Sequence, residues 1–371
     1  MKNNSQRKKE RSKPRILITF RIGGENGGPY VSHKRIMESE LKEQYEFIPL
    51  MLPKPKEILT ISGMKQVINE IKKNDPDILH FAGLQLEGFA ILLAAKMAGV
   101  KKTICSIHGS SMDAIGFSGL KRNILLLMEN WTLKNSSACY GVSRFVSKWS
   151  RVQKYASYNL GYVYNMRQNE QESKQRVEKI RDEFGISETE VLIVSTGRIV
   201  KDKGFDVLTD AIIEGEDWNN TKFLIVGDGS YLEEMKCRIA KAGLCEKVLF
   251  SGYRNDVAQI LEESDIFVLC TLHETLCNSV VEASYANLPV VATNTGGIPE
   301  IIEDGVTGFL TEPYDYKAVC NNLQMLIADE QLRTKMGKNG RVRIDSKFSS
   351  DEITEKIDSF YKAVLRMGDD N

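Results

Sequence analysis

Apolar residues along this chain fall into short unbroken runs rather than an in-out alternation. In the first half the runs cover residues 15–20, 45–50, 78–81, 103–107 and 138–142. In the second half they cover 191–196, 223–226, 248–250, 266–269 and 288–292. Continuous Val, Ile, Leu and Phe runs of this length read as strands buried on both faces, as in parallel sheets. Between them lie longer stretches with helical spacing, at 32–41, 61–73, 88–98, 123–133 and 205–213. Strand and helix in alternation predict an α/β protein, with helices on both faces of a parallel sheet.

The alternation is interrupted once. Residues 168–181, QNEQESKQRVEKIR, are strongly polar and mark a boundary between two domains. Expected boundaries are a basic tail at 1–14, a first domain at 15–165, a linker at 166–190, a second domain at 191–345 and a last helical segment at 346–371. That segment carries Ile353, Ile357, Phe360, Tyr361 and Val364 on one face, so it is amphipathic. The chain of 371 residues is long enough for two cores.

Composition excludes several classes. Apolar content of 42% and charged content of 27% suit an ordinary globular chain. No apolar run reaches the ~18 residues of a membrane span, and the N-terminus has no apolar signal segment. A cytoplasmic protein is expected. Seven scattered cysteines fit a reducing compartment, and neither they nor the four histidines show metal-ligand spacing. Asp75-Pro76-Asp77 reads as a turn entering a strand. No metal or other cofactor is expected. The net charge of zero hides an imbalance: residues 1–165 carry 26 basic and 13 acidic groups, leaving a surplus of 13 positive charges. The basic first fifteen residues read as a solvated tail; an anionic membrane surface is the functional alternative. No nucleic-acid motif accompanies the charge.

Chemistry concentrates where strands end. The first strand runs into Gly23-Gly24-Glu25-Asn26-Gly27-Gly28, and Gly27 and Gly28 allow a ligand to approach the backbone ahead of a helix N-terminus. This is not the dinucleotide fingerprint. His108 ends the fourth strand, on the edge where open sheets bind ligands. In the second half, Gly197-Arg198 and Lys203-Gly204 place two cations around a glycine turn before a helix, an arrangement that suits a pyrophosphate. Gly227-Asp228-Gly229 and Tyr253 end the next two strands. Glu274 follows the strand at 266–269. Ser279-Val280-Val281-Glu282 reads as a capping box, with Ser279 the N-cap and Glu282 at the third helical position; a ligand role for Glu282 is the alternative.

Gly197-Arg198 with Lys203-Gly204, Gly227-Asp228-Gly229, Glu274 with Glu282, and Gly296-Gly297-Ile298-Pro299-Glu300, taken in this order, resemble the retaining, nucleotide-sugar-dependent glycosyltransferases of family four, the glycosyl transferases group 1. The resemblance runs from residue 15 to the last helix and is strongest over 191–310. It implies the GT-B architecture, two facing Rossmann-like domains with parallel sheets, and a C-terminal helix that crosses back to the first domain. It also implies roles. Arg198 and Lys203 bind the donor diphosphate, with Gly197 and Gly227 beside it and Gly27 and Gly28 on the opposing loop. Glu274 contacts hydroxyls of the transferred sugar, helped by the amides of Thr275, Leu276 and Cys277. Glu282 binds the ribose, Tyr253 packs on the base, and His108 acts near the donor sugar.

The family often has Gly-Phe-Gly where this chain has Thr275-Leu276-Cys277, and Met166 stands where a glycine usually follows the linker asparagine, here Asn165. Both departures leave donor identity open. The expected activity is transfer of a hexosyl or N-acetylhexosaminyl group from a UDP- or GDP-sugar to a hydroxyl, with retention, in cell-surface polysaccharide or glycolipid assembly. The acceptor would be a glycan or a lipid-linked glycan, reached through peripheral contact of the basic first domain with the inner membrane face. The alternatives are a nucleotide-sugar epimerase, which needs donor alone, and a non-catalytic GT-B partner subunit, which would tolerate loss of Glu274.

Overall fold

The computed structural model describes residues 11–24, 27–110, 119–166, 179–215 and 218–367. The expected basic tail through residue 10 and the linker at 167–178 lie outside these. The described residues divide into two compact units: one holds the chain up to Met166 and again from Ser350, the other the chain between.

The first unit is a parallel sheet of β1 (Arg15–Arg21), β2 (Glu46–Leu52), β3 (Ile78–Ala82), β4 (Thr103–Ile107), β5 (Ala138–Gly141) and β6 (Asn159–Tyr162), in the order β2-β1-β3-β4-β5-β6. Its long helices are α1 (Gly28–Glu38), α2 (Ile61–Asn74), α3 (Leu86–Ala98) and α4 (Gly119–Asn135). Ile16, Leu17 and Ile18 are wholly buried, as a central strand with helices on both faces requires. Helix α1 begins four residues before the expected start at Ser32. Pro29 lies in its first turn, where a fixed φ and a missing N–H cost nothing. Thr60 caps α2 by accepting a hydrogen bond from the Gly63 amide at 3.1 Å.

The second unit repeats the plan with β7 (Val191–Thr196), β8 (Thr221–Val226), β9 (Val248–Gly252), β10 (Ile266–Leu269), β11 (Val290–Thr293) and β12 (Gly308–Thr311), in the order β12-β11-β10-β7-β8-β9. Around it lie α5 (Phe205–Glu214), α6 (Leu232–Lys241), α7 (Asn278–Tyr285), α8 (Tyr316–Ala328) and α9 (Glu330–Lys347). Its core packs Ile193, Phe223, Ile225, Val268 and Val291 against Phe205, Leu208 and Leu323. Each such side chain contributes about 1.5–3 kcal/mol by leaving water. Asp315 and Asp329 cap α8 and α9 through the amides of Ala318 and Leu332.

The last helix, α10 (Ser350–Arg366), belongs to the first unit. Ile353, Ile357, Tyr361 and Val364 of its apolar face are buried. The Tyr361 ring meets Tyr45 edge-to-face with centroids 5.1 Å apart, and its hydroxyl meets His80 Nδ1 of β3 at 2.8 Å. Tyr45 in turn donates to Asp358 at 2.7 Å. Among the described residues no helix is long and apolar enough to cross a membrane.

Candidate functional site

Both sheets have a point where successive crossovers change direction. In the second unit it lies between β7 and β10: the chain leaves β7 toward β8 and β9 on one side, then returns to build β10, β11 and β12 on the other. Loops leaving these two strands diverge and open a crevice, which is where open α/β sheets bind ligands. Arg198 and Lys203 follow β7, and Glu274 follows β10. The topology therefore brings together residues separated by about seventy positions.

The contact is direct: Lys203 Nζ lies 2.5 Å from Glu274 Oε1, with both side chains mostly shielded from solvent. Backbone lacing holds the two loops in place. The Leu272 amide donates to the Asp202 carbonyl at 3.0 Å, and Thr271 Oγ1 reaches the same oxygen. Lys203 closes a short 3-10 turn that ends at Gly204, whose φ is +65°. A Cβ at Gly204 would fall 1.8 Å from the Cys270 carbonyl oxygen, so only glycine lets the β7 loop lie against the end of β10. On the other side Gly296, at φ +59°, leaves no room for a side chain, since a Cβ there would lie 1.7 Å from the Glu274 carbonyl oxygen. Glu274 thus sits on backbone clamped from two directions. Arg198 is exposed in the same β7 loop as Lys203.

The loop after Glu274 corrects the expected capping box. Helix α7 starts at Asn278 with Cys277 as its N-cap and no side-chain cap, so Ser279 lies inside the helix and Glu282 beyond its first turn. Cys277 has φ +86° and ψ 83°, in the left-handed region that a glycine occupies without strain. This is the position where the resembling family often carries glycine; the chain keeps the backbone shape without the residue. Burial, then the charge of Glu274, pushes the Cys277 thiol up to about 12, so it stays protonated at neutral pH. Leu276 and Cys277 are buried, and Thr275 and Glu282 are partly so.

On the far side of β7, the Gly197 amide donates to the Val226 carbonyl at 3.0 Å and the Gly227 amide to Gly252 at 2.9 Å, while the Ile199 amide reaches Asp228. These bonds fold the Gly197, Gly227 and Tyr253 loops into one layer at the strand ends. Tyr253 is 61% exposed. A shallow cleft of about 370 Å³ lies here, lined by Arg198, Lys201, Asp202, Ser230, Tyr231 and Glu234. It takes in Arg198 but neither Lys203 nor Glu274.

In the first unit Gly27 is the extended residue before α1, and Gly28 its first residue. His108 follows β4 and is held by a bond between its Nε2 and Ser106 Oγ at 3.2 Å. Burial, then His33, lowers its pKa to about 3. Sequence reasoning missed His33, Glu129 and Arg151 around it. His33 and His80 are wholly buried, with ring centroids 4.6 Å apart. Ser110, two residues on, donates to the buried Glu129 at 2.7 Å, and Arg151 pairs with the same oxygen at 2.7 Å. That buried carboxylate anchors the loop after β4. Its only sequence signal was an acid inside an otherwise apolar stretch of α4.

The family models agree with this layout. The model for glycosyl transferases group 1 matches residues 176–343, and that for glycosyltransferase family 4 matches 32–165. Among similar proteins, N-acetyl-alpha-D-glucosaminyl L-malate synthase of Bacillus anthracis is 26% identical over 84% of this chain and 80% of its own length. The capsular polysaccharide biosynthesis glycosyltransferase CapM of Staphylococcus aureus is 27% identical over 88% of each. Of solved structures, sucrose-phosphate synthase of Thermosynechococcus elongatus superposes with a TM-score of 0.82 at 16% identity, covering 95% of this chain and 99% of that one. Anabaena HepE, solved with UDP and glucose, superposes at 0.73 with 18% identity over 94% of this chain and 100% of that one. Two six-stranded parallel Rossmann-like sheets, a Lys–Glu pair at the second unit's crossover point and matches to both halves together place this chain in the GT-B group 1 glycosyltransferase family.

Proposed function

We propose that this glycosyltransferase moves a hexosyl or N-acetylhexosaminyl group from a UDP- or GDP-sugar to a hydroxyl acceptor, with retention at the anomeric carbon. The contact between Lys203 and Glu274 at the β7/β10 crossover carries the reading. Before the donor arrives, each charge satisfies the other, so neither is left desolvated and alone. A donor would insert between them: its diphosphate takes Lys203 and Arg198, and its sugar hydroxyls donate to Glu274. As the bond to the leaving group lengthens, negative charge grows on the diphosphate. Fixed cations and the amides of Thr275, Leu276 and Cys277 stabilise that charge, the kind of contribution whose loss costs about 10²–10³ in rate. Glu282 holds the ribose, Tyr253 covers the base, and Gly197 and Gly227 let the phosphates approach. From the first unit we assign Gly27 and Gly28 to the phosphates and His108 to a sugar hydroxyl. The cations supply the charge that a metal would otherwise supply.

The acceptor we favour is a glycan or lipid-linked glycan in polysaccharide or glycolipid assembly, reached by contact of the basic first unit with an anionic membrane. The relatives' names support this: CapM is a capsular polysaccharide enzyme, and an Escherichia coli relative, 26% identical, is a galactosyltransferase acting on a GlcNAc-diphosphoundecaprenol. The test is a thermal-shift panel of nucleotide sugars, since a bound donor stabilises the fold by mass action. It is followed by NMR of the product's anomeric configuration. A rise in melting temperature with one UDP- or GDP-sugar is expected. No shift with any of them would sink the proposal.

A further inference from the structure

Three observations fix where protons sit around His108. His33 Nδ1 lies 2.9 Å from the Thr19 carbonyl oxygen, which can only accept, so Nδ1 carries the hydrogen. Burial lowers the His33 pKa to about 4, so at neutral pH the ring is uncharged and its Nε2 is a bare lone pair. Ser106 Oγ lies 3.1 Å from that nitrogen, and both residues are wholly buried. A serine hydroxyl has one hydrogen to give. The Phe81 carbonyl at 3.3 Å and the Tyr140 hydroxyl are also within reach, but giving the hydrogen to either would set two lone pairs against each other across the 3.1 Å to His33. A buried acceptor left without a donor is costly. The Ser106 hydrogen therefore goes to His33.

Having donated, Ser106 oxygen can only accept. His108 Nε2 lies 3.2 Å from it and must bring its own hydrogen. We infer that His33 is a positioning residue which, through Ser106, holds His108 as its Nε2–H tautomer and so makes Nδ1 the hydrogen-bond acceptor that meets a hydroxyl of the sugar substrate. Thr19 lies in β1, His33 in α1 just after the Gly27-Gly28 loop, and Ser106 in β4. The relay thus ties the glycine loop to the histidine. No proton needs to move during the reaction; the chain sets polarity, much as a buried partner fixes the tautomer of a catalytic histidine elsewhere. The inference rests on the assignment of His108 to the sugar.

The experiment is ¹⁵N NMR of histidine-labelled protein at pH 7.5, with the four ring systems assigned by single His→Gln substitutions. His33 and His108 should show opposite tautomers, Nδ1–H for His33 and Nε2–H for His108. Turnover is measured alongside, with whichever of UDP-glucose, UDP-galactose, UDP-N-acetylglucosamine and GDP-mannose stabilises the protein most. Ser106→Ala should lower kcat about tenfold with little change in donor KM, and Ser106→Thr, which restores the hydroxyl, should recover most of it. His33→Phe should release the Ser106 hydrogen and give His108 a measurable Nδ1–H population. A native His108 protonated at Nδ1, or a Ser106→Ala enzyme with unchanged kcat, overturns the inference. The underlying assignment is tested separately: His108→Ala should lose at least as much activity as Ser106→Ala. If it keeps full turnover, the assignment to the sugar fails and the functional half of the inference falls with it, whatever the tautomer spectrum shows.

Discussion

Acidification from pH 7 to pH 5 should destabilise the first unit through His33 in particular. In an unfolded chain this imidazole titrates near 6.5, and burial lowers it to about 4 in the fold. The folded pKa is depressed, so for this cation-forming group the fold favours the neutral ring. The stabilising contribution is fully present above pH 6.5 and is lost as pH falls from 6.5 toward 4. At pH 5 the unfolded chain holds nearly a whole proton at this site and the folded chain almost none. Linkage then gives a loss of about 2 kcal/mol between pH 7 and pH 5. Of the three tryptophans, Trp131 and Trp149 lie in the first unit and Trp218 in the second. A Trp218→Phe background thus lets fluorescence during urea unfolding report the first unit alone. His33→Gln in that background should lose about 2 kcal/mol less on acidification than its parent. His80 and His108 are shifted downward too, mainly by their own burial, which is the same in both proteins; the smaller part that His33 contributes to each shift adds to the difference. Equal pH sensitivity with and without His33 would refute the burial argument.

Other outcomes follow from the second unit. Gly296→Ala places a Cβ on the Glu274 carbonyl oxygen at a φ of +59°; it should lower the melting temperature and abolish most turnover, and an enzyme of normal activity would show that this clamp does not hold Glu274. Cys277→Gly relieves the left-handed strain, worth about 1 kcal/mol, and loses a small buried side chain; urea unfolding should find stability within about 1 kcal/mol of the parent and activity retained. EDTA should leave initial rates within about twofold if Arg198 and Lys203 supply the positive charge; a collapse restored by Mg²⁺ or Mn²⁺ would show that a metal shares that task.

How far the chain could be read before its structure depended on how local the signal was. Residues 266–269 were legible to the residue, because β10 is buried on both faces and every position is apolar. Strand β6, Asn159-Leu160-Gly161-Tyr162, was not: it is an edge strand, half-exposed throughout, and its composition reads as a turn. Strand β12, with Gly308 and two half-buried positions, escaped for the same reason. The capping box at Ser279 was a true motif in the wrong frame, because a left-handed Cys277 starts the helix two residues earlier. No propensity rule expects cysteine at a φ of +86°.

The candidate site divides along the same line. Arg198, Lys203 and Glu274 could be named because each ends a recognisable strand. That Lys203 and Glu274 touch required the crossover that puts β7 beside β10. His33 and Ser106, 73 residues apart, carry no pattern linking them; only the packing of α1 on the sheet brings them together.

The central claim is that Arg198 and Lys203 present fixed positive charge to a diphosphate. Calorimetric titration with UDP tests it most directly, using the intact chain and its Arg198→Ala and Lys203→Ala variants. A charge-assisted hydrogen bond is worth about 1.5–3 kcal/mol, so each variant should bind UDP roughly 10- to 150-fold more weakly. Wild-type affinity in both variants, with melting curves showing that both are folded, would contradict the account.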